Sequence, residues 1–219
     1  MKISKNHTVY LAASVLLVVL AAGLSVNAAP EPAIVPSPSD WTFDVKFRPP
    51  ELIELQEGRD GQSRRYWYII LTVTNDTGRD AGFFPECEMM TDTFEITPAG
   101  SGVSPRVFER IKQLYELEYP FLESLSSADS RMLQGEDNTR DIALIWPDFD
   151  TRARNVKFFI SGLSNETVAV DHPVAKDEQG RPVKVYLRKT LLLDYKIGGD
   201  PRYRAHTRVI LNGKDWVMR

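Results

Sequence analysis

Arg64-Arg65-Tyr66-Trp67-Tyr68-Ile69-Ile70-Leu71-Thr72-Val73-Thr74 is the densest run of aromatic and β-branched residues in the chain. Such residues fit a pleated, packed surface, and the run alternates too little to be half-solvated, so it reads as a central β-strand. Asn75-Asp76-Thr77-Gly78 closes it with turn chemistry, and Gly58-Arg59-Asp60-Gly61 supplies a turn before it. Upstream, Trp41, Phe43, Val45 and Phe47 alternate with Thr42, Asp44 and Lys46, the period of a half-buried strand, and Pro49-Pro50 stops it.

Downstream, residues 86–97 read as a strand pair or one bulged strand. Cys87 and Met89 share one parity, Phe94 and Ile96 the other, with the switch near Thr91-Asp92. The β pattern then breaks. Ser104 can cap a helix and Pro105 suits its first position; Val107, Ile111, Leu114 and Tyr115 form one apolar stripe over about 105–118. Pro120 ends this helix, which is expected to pack on one end or edge of a sheet. Strands resume at 142–146, 156–160, 167–170 and 183–193. The Leu191-Leu192-Leu193 run suggests burial on both faces. Asn212-Gly213 signals a hairpin between 208–211 and 214–218. Eight or nine strands and one helix predict a mainly β fold: a two-sheet antiparallel β-sandwich of immunoglobulin-like architecture with an inserted α-helix near 105–118.

The start of the chain has a different character. Lys2 and Lys5 precede 18 uncharged residues from Val9 to Val26, and Val26-Asn27-Ala28 suits a signal peptidase. The expectation is an exported chain, periplasmic or secreted, with a signal peptide over 1–28, a proline-rich extended linker over 29–40 and a β-sandwich domain over 41–219. The alternative is an uncleaved membrane anchor at 9–26, slightly short of the about 20 residues a spanning helix needs.

Of 219 residues, 27 are Lys or Arg and 30 are Asp or Glu; without Lys2 and Lys5 the balance is 25 minus 30, or −5. Cys87 is the single cysteine, so no disulfide can form within the chain. Glu86 and Glu88 flank it and disfavour its thiolate, which makes it a core residue rather than a nucleophile.

Three stretches read together resemble a family of uncharacterised exported bacterial proteins. They are Gly135-Glu136-Asp137 with Asp141-Ile142-Ala143-Leu144-Ile145-Trp146, then Ser161-Gly162-Leu163-Ser164-Asn165-Glu166-Thr167, then Leu187-Arg188-Lys189-Thr190-Leu191 with Trp216-Val217-Met218-Arg219. The resemblance implies export and a β-sandwich over most of 41–219, and it implies no catalytic residues.

Candidate chemistry is sparse. His172, His206 and Cys87 do not stand at zinc-ligand spacing, and His172, before Pro173, reads as a loop residue. Asp148 and Asp150, with Glu136, Asp137 and Asp141 upstream, lack the glycine and terminal glutamate of a calcium loop. Gly162-Leu163-Ser164 is half of a nucleophile elbow without its second glycine. Asn75-Asp76-Thr77 and Asn165-Glu166-Thr167 match glycosylation acceptors but read as turns. No cofactor, metal or catalytic residue is therefore assigned.

Charge is regional. Residues 29–180 hold 15 basic and 27 acidic residues, while 181–219 hold 10 basic and three acidic. One reading is that the basic final strands neutralise acidic neighbours. The other is a surface for an anionic partner at Arg202, Arg204, His206 and Arg208, which would line one face of a strand. Nucleic acid is excluded for an exported, net-negative chain. The resulting expectation is a non-enzymatic module binding or scaffolding an unknown protein or an anionic envelope polymer. The alternative is a hydrolase with carboxylates brought together from distant strands; Glu86 and Glu88, which would share one face of a strand, are a separate acidic pair that reads as water-facing. A deep cleft with convergent acids would favour the hydrolase; a flat or charged face would favour the module.

Overall fold

The structure, a computed structural model, describes residues 29–57, 61–128, 131–199 and 208–219. The expected segment 1–28 and the residues Arg202, Arg204 and His206 lie outside the described residues; Arg208 is described and exposed. The fold is mainly β, with antiparallel sheets and, among the described residues, one α-helix.

The decisive run is β3 (Gln62–Thr74), and it lies inside a sheet. Beside it, antiparallel, stand β9 (Arg140–Pro147) on one edge and both β1 (Asp44–Phe47) and β2 (Glu51–Glu57) on the other. The short β7 (Glu123–Ser124) adds to β9 in parallel. Pro49-Pro50 ends β1 after Phe47 as expected, and a separate strand, β2, takes up the same edge of β3. Phe47 faces Leu71 and Glu51 faces Tyr68, so the pairing slips by one residue across the two prolines and resumes. Prolines remove donors, which an edge strand tolerates.

A second sheet contains β5 (Glu86–Thr91), β6 (Ile96–Pro98), β10 (Asn155–Ser161), β11 (Thr167–Lys176), β12 (Pro182–Ile197) and β13 (Val209–Met218). The 86–97 stretch is thus a strand pair, with Phe94 at φ 65° in its turn. Two-residue strands β4 (Ala81–Gly82) and β8 (Arg131–Met132) pair separately.

Alternation assigns the faces. Trp67, Ile69, Leu71 and Val73 of β3 share one buried cluster with Met89, Phe158, Ile160, Leu191, Leu193 and Tyr195 of the second sheet. Trp146 is fully buried there, its ring 4.8 Å from Phe158 and its indole N–H donating to the Thr97 carbonyl at 3.1 Å. Cys87 is buried in the same cluster, and burial first, then the Glu88 charge, pushes its thiol pKa up.

The other parity of β3 (Tyr66, Tyr68, Ile70) joins Ala143 and Ile145 of β9 beneath α1 (Pro105–Leu114), which contributes Val107 and Ile111. The helix therefore packs on a sheet's outer face, not on an end or edge as expected, because both faces of β3 are apolar and both need cover. It ends at Leu114, short of 118, and Leu114 is exposed rather than part of the buried stripe.

Two further expectations are corrected. Asn212-Gly213 is not a hairpin turn. Both flanking segments pair with the 16-residue β12, and the register shifts at Asp194/Tyr195, making Asn212 a bulge. A type I′ turn needs positive φ at its glycine, and Gly213 is not among the glycines that have it. His172 sits within β11 rather than a loop, and its Nδ1 accepts the N–H groups of Val174 and Ala175. In the Leu191–Leu193 run, Leu192 is half-buried on the outer face.

Candidate functional site

β5, β10 and β12 send Cys87, Met89, Val156, Phe158, Ile160, Leu191 and Leu193 inward, so their intervening residues form the outer face of the second sheet. Registers lay them out as a grid. Phe159 stands between Glu88 and Leu192, Ser161 opposite Glu86, and Thr190 opposite Val217. Arg188 exchanges both backbone hydrogen bonds with Arg219, at 2.7 and 3.0 Å, which places the two guanidinium-bearing residues side by side.

This grid carries a groove of about 600 Å³ across the strand ends. One wall is Glu86 and Glu88, the other Arg188 and Arg219, with Phe159 and Ser161 between. Arg219 lies 4.3 Å over the Phe159 ring and its guanidinium reaches the Glu88 carboxylate at 2.6 Å; Arg188 stands 3.9 Å from Glu86. The two acids stand on one strand and face arginines across the groove. The arrangement is a charged, open surface of opposite-sign walls, not a cleft with acids converging from opposing sides. A second, apolar cleft of about 310 Å³ lies between α1 and β9, walled by Val103 and Phe108 and floored by Ala143 and Ile145.

Five basic residues of the C-terminal region pair with acids. Arg181 pairs with Asp177, Lys184 with Asp171, Arg188 with Glu86, Lys189 with Glu166 and Arg219 with Glu88. Of the expected anionic-partner residues only Arg208 is described. It lies just past the C-terminal end of β12, beside Gly198, which donates to its carbonyl at 3.0 Å. Sequence reading counted Arg188 and Arg219 as basic but had no means to see them adjacent. They are 31 positions apart (219 minus 188), and only the strand register joins them.

The buried charges are elsewhere. Glu166 and Lys189 are 4% and 9% exposed, with Lys189 Nζ 2.9 Å from Glu166 Oε2 and 5.5 Å over the Trp216 ring. The Ala33 N–H donates to Glu166 Oε1 at 2.7 Å. Burial alone would raise the Glu166 pKa; the Ala33 N–H and the Lys189 ammonium outweigh it and hold the carboxyl below its usual value. Asn165 accepts the Trp41 N–H through its side-chain oxygen and donates its amide to the Ser39 carbonyl. The segment 29–40 contributes no residue to either buried cluster, and these hydrogen bonds fasten it at Ala33 and Ser39. No family model, curated protein or solved structure matches the chain. These comparisons give the family resemblance no support.

The other motifs weighed in the sequence hold structural contacts. Asn75 is buried, its amide donating to the Arg79 and Met132 carbonyls and its oxygen accepting the Thr77 N–H. Asp148 accepts the Trp67 indole N–H at 2.8 Å and pairs with Arg65, and Asp150 pairs with Arg152. Ser164 Oγ donates to the Trp41 carbonyl. Among the described residues no group of three or more His, Cys, Asp or Glu is placed to hold a metal ion, and no helix is long and apolar enough to cross a membrane.

Proposed function

We propose that the chain is an exported, non-enzymatic β-sandwich module of immunoglobulin-like architecture that binds or scaffolds an envelope or extracellular partner. The architectural part is supported by the single cluster that takes alternate side chains from both sheets. The binding part is supported by one observation. The first sheet's outer face is covered by α1, whereas the second sheet's outer face carries the groove whose basic wall is Arg188 and Arg219. Their side chains are about two-thirds and two-fifths exposed, and their carboxylate partners are exposed as well. Exposed pairs of this kind contribute little to stability, on the order of 0–1 kcal/mol, so a partner's acidic groups can replace them at low cost.

The anionic-partner surface is accordingly proposed at Arg188 and Arg219, and the partner as an acidic protein or an anionic envelope polymer. The test is retention of the purified chain on an immobilised carboxylate polymer at low and moderate salt. Arg188→Glu with Arg219→Glu is expected to abolish retention while leaving the circular dichroism spectrum unchanged. Retention equal to that of the unaltered chain would remove these residues from the contact.

A further inference from the structure

The charged groove and the apolar cleft meet at one ridge, because Ala99 and Leu125 wall both of them. Backbone hydrogen bonds fix that ridge. The Ala99 N–H donates to the Cys87 carbonyl of the second sheet at 2.8 Å, and the Gly100 N–H donates to the Ile145 carbonyl of the first at 2.7 Å. Gly100 makes the passage between sheets at φ +81°, a conformation that strains any other residue. Leu125 opens a short 3₁₀ turn (Leu125–Ser127) that is closed by reciprocal hydrogen bonds between Ser124 and Ser127. Both walls of the ridge are therefore held in place by the fold, and a preformed site spares a ligand the cost of ordering it.

The apolar cleft exists because small residues adjoin beside α1. Ser124 stands opposite Ala143 in the β7–β9 register, and neither side chain is large enough to fill the space beside Val103 and Phe108. Its floor, Ala143 and Ile145, is buried and offers no polar side chain. A cavity of roughly 150 Å³ with apolar walls holds one benzene ring. The cleft, at about 310 Å³, has room for one aromatic or large aliphatic side chain. Across the ridge stand Phe159 and the two arginines of the groove.

We infer that the partner is an acidic protein whose contact segment sets an apolar anchor side chain in the α1–β9 cleft while an acidic residue of the same segment meets Arg188 and Arg219, an inference that rests on the arginine wall proposed above. Of the two partners proposed there, an anionic polymer offers nothing to the cleft, whereas a protein segment brings a carboxylate and an apolar side chain on one chain. Anchors seated in pockets dominate the energy of protein interfaces, and exposed charges contribute chiefly orientation and rate of encounter. The same division holds at this ridge: the cleft supplies affinity and the arginines select the sign of the partner's charge.

Peptides of Glu, Gly and Phe, acetylated and amidated at their ends, test this on the full chain. Up to four glycines separate Glu from Phe; a second series carries Ala in place of Phe, and a third carries Gln in place of Glu. Nuclear magnetic resonance titration measures each affinity. The best Glu–Phe spacing is expected to bind about tenfold more tightly than its Ala counterpart, as burial of one aromatic ring requires, and more tightly than its Gln counterpart. Val103→Trp and Ser126→Trp fill the cleft from opposite walls. With circular dichroism unchanged, the preference for Phe over Ala is expected to vanish in at least one of them while retention on the carboxylate polymer persists in both. Equal binding of the Phe and Ala series at every spacing, no binding by any Glu–Phe peptide, or a preference that survives in both filled variants would overturn the inference and leave the arginine wall standing. Equal binding of the Glu and Gln series with the Phe preference intact would overturn the arginine wall instead.

Discussion

Replacing Lys189 with Met isolates the one charge pair that is buried on both sides among the described residues. Methionine keeps an unbranched apolar side chain and removes the ammonium together with its contact over the Trp216 ring. Glu166 then retains its Ala33 hydrogen bond but loses its counter-charge while remaining almost wholly inside the protein. Leaving one member of a buried pair uncompensated costs about 3–5 kcal/mol. For a domain of this size urea m-values run roughly 2–3 kcal/mol per M, so the midpoint should fall by roughly 1–2 M at pH 7. The pH dependence carries a sign that a simple packing defect does not. In the unaltered protein the Glu166 pKa is depressed, so its contribution is present above the unfolded value and lost as pH falls through the folded one. In Lys189→Met burial dominates and the folded pKa rises above the unfolded value. The defect should then shrink as pH falls toward 4.5, where the buried carboxyl takes a proton. Adding Glu166→Gln should restore much of the loss at pH 7, and the double-mutant cycle gives the coupling directly. Urea titrations followed by tryptophan fluorescence at pH 7 and 4.5 measure all of this. A pH-independent loss below about 1 kcal/mol would show that water reaches the pair, and the burial reasoning would fail.

Gly162→Ala should be severely destabilising, because its Cβ would lie 2.1 Å from the Phe84 carbonyl oxygen and 2.9 Å from the Pro85 Cα, all backbone atoms. Gly180→Ala, at φ +78° with nothing within 4 Å, should cost only the left-handed penalty of about 1–2 kcal/mol; thermal melts that rank the two equally would contradict the close approach. Cys87 should resist alkylation in the native protein and react fully in urea, since its thiol is buried with a raised pKa; rapid native labelling, read by mass spectrometry, would place it at the surface instead.

What was legible in the sequence was whatever a single strand or helix declares by itself. The apolar run of β3 declares a central position because both parities are hydrophobic, and the 105–114 stripe declares a helix because its period is 3.6. β2 was not legible: Glu51, Glu54 and Glu57 interrupt its apolar residues, and only pairing with β3 holds it extended. Asn212-Gly213 misled because a turn-forming pair is a local signal. Whether the chain reverses there depends on how far β12, fifteen positions upstream, continues to offer a partner edge.

The site residues were illegible for the same reason in stronger form. Glu166 and Lys189 resemble any solvated charges in sequence, and they become a buried pair only because Glu166 follows the β10–β11 bend and its carbonyl accepts the Lys189 N–H. Arg188 and Arg219 likewise acquire meaning only when β13 ends beside β12. One piece of placement was nevertheless available. Tyr66, Tyr68 and Ile70 cannot be left facing water any more than Trp67, Ile69 and Leu71 can. A strand apolar on both parities, in a chain whose single strong helix has one apolar stripe, requires that helix to lie on the sheet's outer face. An end or edge position for α1 is therefore incompatible with a β3 that is apolar on both parities, and burial on both faces of β3 resolves the conflict in favour of the strand.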